Sequence, residues 1–146
     1  RGADLSGMGE NIILTPHMKE FSRISGYGME TLKESALQPV RSFLEGFGGT
    51  LVLKDSATVV AKQGEPYYIN TYGNSGMATG GSGDVLTGVI GGLIASRGLA
   101  TFEGASFGVL LHSLAGDQAA AILGKDAVLA SDIAEKADEI IVVQEN

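Results

Sequence analysis

A chain of 146 residues with 10 Lys+Arg against 17 Asp+Glu carries a net charge of −7. That excludes the broad basic surface needed for nucleic acid or acidic membranes, but not a small anion held by backbone N–H groups. The length suits one domain with its own core, the 44% hydrophobic share marks a globular chain, and the lack of Cys excludes disulfides, thiolate nucleophiles and Cys-ligated zinc while permitting a cytoplasmic location.

No run of 18 apolar residues appears, so no membrane span is expected, and no leader pattern precedes the first element. The chain opens on Arg1, which suggests processed or incomplete material. Asn11-Ile12-Ile13-Leu14 reads as a buried strand, and Thr15 as N-cap with Pro16 at the first helical position reads as a helix start. Phe21 and Ile24 supply that helix's apolar side up to Gly26. Thr31 to Gly46 has helical spacing, with Pro39 required to open a new helix or kink one. Leu51–Leu53, Thr58–Ala61 and Tyr67–Ile69 read as three strands, the last two joined by a Gly64-Glu65-Pro66 turn. A glycine-rich loop over 71–83 leads into three helices, about 83–97, 101–123 and 131–141, the last with Ser131-Asp132 as its cap. The order of elements predicts an α/β fold.

Glycine is the outlier, 22 residues or about twice the ordinary ~7%. Gly80, Gly81 and Gly83 free the backbone so that the N–H groups of Gly80, Gly81, Ser82 and Gly83 can line an anion hole. The helix that follows adds its positive end at the same point. Asp84, in its first turn, can accept a proton from a substrate hydroxyl beside that hole, or simply complement the helix dipole. Lys54, Asp55, Ser56, Ala57 and Thr58 form a polar loop between two strands that could serve a nucleotide, or be a plain hairpin turn. His17 can hydrogen-bond a phosphate or carboxamide, and Glu20 either orients it or complements the dipole. His112 is expected to pack on its helix, and Asp117 to be structural or interfacial.

Four segments resemble the NAD(P)H-hydrate dehydratases of the ribokinase-like superfamily, in that family's order: Leu14-Thr15-Pro16-His17-Met18-Lys19-Glu20-Phe21, Lys54 to Val60, Gly73 to Gly88 and His112 to Ala120. The resemblance implies a ribokinase-like three-layer α/β/α sandwich, of which residues 1–146 would be the C-terminal part of a single domain. It implies a carbon–oxygen lyase that restores NADH and NADPH from their hydrated forms, with ADP or ATP as co-substrate and Mg2+ bridging the nucleotide phosphates. His17 then maps to the substrate-contacting histidine and Lys54 to Thr58 with Gly83 to the nucleotide site. Asp84 maps to the catalytic aspartate, which also contacts substrate. No metal-ligating residue is assigned. An N-terminal half would be missing, since Gly2-Ala3-Asp4-Leu5 does not supply the Asp-Ala-Asp-type strand end expected before Thr15. The remaining chain would bare one sheet face unless a second chain or another copy covered it. A kinase of the same superfamily, acting on a sugar or a hydroxymethylpyrimidine or thiazole alcohol, shares the glycines and Asp84. A non-catalytic subunit, nucleotide-sensing or purely structural, is the third reading.

Overall fold

A computed structural model describes residues 4, 5 and 7–144, with only the backbone for 142–144. Residues Gly2 and Ala3 of the Gly2–Leu5 segment therefore lie outside the described residues. The contacts divide the chain into two compact units, Arg1–Ile69 and Asn70–Asn146.

The first unit holds β1 (Ile13–Leu14), α1 (Met18–Ser25), α2 (Met29–Glu34), α3 (Leu37–Leu44), β2 (Thr50–Leu53) and β3 (Thr58–Lys62), and β4 (Tyr68–Asn70) runs across the division. The sheet order is β1-β2-β3-β4, with β1 parallel and β3 antiparallel to β2. Its core joins Phe21, Leu32, Val40, Leu44 and Phe47 from the helical arc to Leu51 and Leu53 from the sheet. Phe21 meets Phe43 edge-on with ring centroids 5.3 Å apart, the geometry that opposes ring edge to ring face. Val52 and Val60 are also fully buried.

Two helix starts differ from the sequence reading. Thr15 and Pro16 neither cap nor open α1, because strand pairing holds them extended: Lys54 N–H donates to the Pro16 carbonyl at 2.9 Å. The helix therefore opens after His17, which takes the cap position. Pro39 does follow a new helix start, as the third residue of α3, where its missing N–H is one that a helix leaves unpaired anyway. The break falls at Ser35, whose backbone is extended.

The second unit holds a 3-10 turn at Ser75–Met77, α4 (Ser82–Arg97), α5 (Thr101–Leu123), a second 3-10 turn at Lys125–Ala127 and α6 (Ala130–Gln144). α6 starts before Ser131, because the Asp132 carboxylate reaches back to accept the Leu129 N–H at 2.8 Å. α4 and α5 approach closely where α5 carries glycine. A Cβ at Gly104 or Gly108 would come within 2.3 Å and 2.5 Å of Ile94 and Ile90. The α5–α6 core is built on Ala115, Ala119, Ile133 and Ala137. Among the described residues no helix is long and apolar enough to cross a membrane.

Candidate functional site

In the first unit, sheet pairing brings His17 beside Lys54. The two form an isolated parallel bridge that continues the β1–β2 register past Pro16. His17 and Glu20 close a capping box: His17 Nδ1 accepts the Glu20 N–H at 3.2 Å and Glu20 Oε2 accepts the His17 N–H at 2.8 Å. Glu20 thus orients His17 rather than merely complementing the dipole. With Nδ1 occupied as an acceptor, the neutral ring carries its proton on Nε2, 3.5 Å from Glu20 Oε1. The imidazole is exposed and offers a donor, not an acceptor, to anything that reaches it.

The Glu20 carboxyl is held below its ordinary value of 4.5, chiefly by the hydrogen bond from the His17 backbone; slight burial opposes this, and the electrostatic influence of His17, Lys54 and Arg23 adds to it. Because the folded pKa is depressed, the Glu20 carboxylate's contribution is complete above the unfolded carboxylate value. It is lost as pH falls through the lower folded value. In denaturant titrations, Glu20→Gln should lower the midpoint at neutral pH, with the gap to wild type closing in acid. A gap that is constant with pH would contradict the assignment.

Lys54 is half-buried, Asp55, Ser56 and Ala57 are exposed, and Thr58 opens β3. The Thr58 hydroxyl donates weakly to the Asp55 carbonyl at 3.4 Å, so 54–58 is a turn with its polar groups turned outward.

In the second unit, the glycine-rich segment ends at Gly81, in the left-handed region (φ 87°) as N-cap of α4, with no side chain to cap the helix. The amides of Asp84 and Val85 both donate to the Gly81 carbonyl, at 3.1 and 3.0 Å. The Ser82 N–H, expected in the anion hole, instead donates to the Thr79 carbonyl at 3.3 Å, because the tight turn ahead of Gly81 folds that carbonyl beneath it. Among the described residues, the amides of Gly80, Gly81 and Gly83 have no such acceptor. Asp84 is exposed in the first turn of α4, one residue after Gly83.

Further groups hold this segment, among them His112, expected to pack on its helix, and Asp117, expected to be structural or interfacial. His112 on α5 is buried and its Nε2 donates to the Ser82 carbonyl at 3.0 Å, with Ser82 Oγ at 3.3 Å. Asp117 accepts the Gly73 N–H at 3.0 Å and the Asn74 side-chain amide at 2.9 Å. Asn70 donates to Ser113 Oγ at 2.9 Å. The available signal was the spacing of His112, Ser113, Gly116 and Asp117, which places them along one helix face.

The family model for NAD(P)H-hydrate dehydratase matches residues 3–139. The bifunctional NAD(P)H-hydrate repair enzyme of Coxiella burnetii is 42% identical over 124 residues, 85% of this chain and 25% of that enzyme. Among solved structures, the ADP/ATP-dependent NAD(P)H-hydrate dehydratase of Bacillus subtilis, co-crystallised with ATP/Mg2+, aligns with a TM-score of 0.81 at 26% identity. That alignment covers 88% of this chain and 46% of that one. A ribokinase-like superfamily protein of Enterococcus faecalis aligns with a TM-score of 0.75 at 36% identity, covering 90% and 44%. The chain thus spans a quarter of the Coxiella enzyme and under half of either solved chain. With a mixed sheet and flanking helices that superpose on part of a ribokinase-like fold, and a family match through both the His17–Lys54 pair and the α4 start, this chain belongs to the NAD(P)H-hydrate dehydratase family.

Proposed function

We propose that this chain serves the nucleotide-dependent dehydration of hydrated NADH and NADPH, with Asp84 as proton acceptor beside a backbone anion hole. The observation that carries the reading is the start of α4, where unpaired amides at Gly80, Gly81 and Gly83 adjoin an exposed carboxylate within a family-matched segment. Asp84 takes the proton of the C6 hydroxyl as its oxygen attacks the terminal phosphorus of ADP or ATP, releasing AMP or ADP. The Gly80, Gly81 and Gly83 amides hold the transferring phosphoryl oxygens as charge moves onto them. Phosphate then leaves C6 with its bonding pair while C5 loses a proton, which restores the ring double bond. His17, through Nε2–H, is assigned to a phosphate or carboxamide oxygen of the hydrate. Lys54, Asp55, Ser56, Ala57 and Thr58 are assigned, with Gly83, to the nucleotide.

Among the described residues no group of three or more His, Asp or Glu could hold a metal ion. Mg2+ bound with the nucleotide would neutralise charge on its phosphates during transfer. Because the chain spans under half of its solved relatives, further chain, in the same polypeptide or another, is taken to complete the substrate cleft.

The test gives the full-length protein hydrated NADH with ADP or ATP, and follows reduced-nicotinamide absorbance alongside free phosphate. Regeneration of NADH with phosphate in step is expected. A stable phosphorylated alcohol without recovery of absorbance would assign a kinase instead. Nucleotide alone should stabilise the fold, by about 2.7 kcal/mol at a hundredfold excess over Kd.

A further inference from the structure

We propose that Asp117 is a positioning residue that fixes the conformation of the 73–83 segment and so the presentation of its free amides. The proposal rests on the reading of that segment as a phosphate cradle. One face of α5 engages the segment from its beginning to its end. Asn70, three residues ahead of it, is tied to Ser113, and His112 at the far end holds the Ser82 carbonyl. Between them, Asp117 takes one backbone and one side-chain donor on its two oxygens, both strengthened by its charge.

The Asn74 amide is shared with the Gly116 carbonyl at 3.0 Å, and Asn74 Oδ1 in turn accepts the Gly76 N–H at 3.0 Å. The bend is thus pinned at Gly73, Asn74 and Gly76. Gly73 sits at φ 105°, a conformation other residues rarely adopt, and the Asp117 bond holds its amide there. Gly116 leaves room for Met77, whose Sδ would lie 2.3 Å from any added Cβ. α5 itself does not depend on this carboxylate, because its packing on α4 and α6 runs through Gly104, Gly108, Ala115 and Ala119. Loss of the carboxylate should therefore disturb the segment and spare the helix.

Asp117→Asn keeps the size but sets an NH2 against one of two donors. In the full-length protein it should raise the nucleotide KM roughly tenfold, as loss of a charged hydrogen bond implies, with the hydrate KM within about twofold. Hydrogen–deuterium exchange, without ligand, should quicken in peptides covering 70–83 and stay unchanged in α5. Asn74→Ala removes the same bridge from the loop side and should act alike, the double variant being no worse than the poorer single. If Asp117→Asn fails to fold, Asn74→Ala carries both readouts. Equal rises in both KM values, faster exchange throughout α5, or additive losses in the double variant would overturn the proposal. The exchange result stands whether or not the nucleotide reading does, and absence of nucleotide binding by the wild type would defeat only that reading.

Discussion

Asp84→Asn is expected to cut kcat by ~10²–10⁴-fold, the usual worth of a general base, with nucleotide affinity within a few fold of wild type. Asn preserves the volume and leaves the first turn of α4 intact, because that turn is closed by the Gly81 carbonyl and not by the Asp84 side chain. What Asn cannot do is accept the hydroxyl proton. Single-turnover rates with calorimetric nucleotide affinity on the same preparation separate the two effects. Retention of more than about a tenth of the wild-type rate would be too much for a lost general base. A parallel collapse of affinity would assign Asp84 to binding instead.

Phe21→Ala is expected to cost about 3–5 kcal/mol of unfolding free energy, the range for deleting a buried phenyl ring. Phe21 is fully buried in the first unit, and its ring packs edge-on against Phe43, which in turn meets Phe47 in the same core. Urea or guanidinium unfolding of the full-length protein at constant slope would measure the loss. A change under about 1 kcal/mol would mean that α1 is held by something other than this ring. The site effect follows from position: Phe21 lies one turn after His17, so a loosened α1 loosens the capping box as well.

Most elements were legible because their boundaries are written in local chemistry. α5 runs over 101–123 as read, and β2, β3 and α4 deviate by a residue at one end. The errors lie where another partner, distant in sequence or close by, outbids the expected signal. Thr15-Pro16 is a good helix start in isolation, but pairing with Lys54 keeps it extended and hands the cap to His17. Ser131 lost its cap role because Asp132 reaches back to Leu129. At the candidate site, the glycines and Asp84 announced themselves by composition. The hold of His112 and Asp117 on the loop did not, since it joins residues 30 to 44 positions apart.

The pairs Ile13↔Thr50, Leu14↔Leu51 and His17↔Lys54 share one offset, so the ladder counts straight through the proline that lacks a donor. Tolerance to changes of length is therefore unevenly distributed. One residue added or lost between Leu14 and His17, or between Leu51 and Lys54, carries the imidazole out of step with the lysine and turns it to the opposite face. The exposed backbone at Gly26 and Gly28, inside the arc that joins α1 to β2, feeds into neither count. Insertions can accumulate there while the histidine stays in its place.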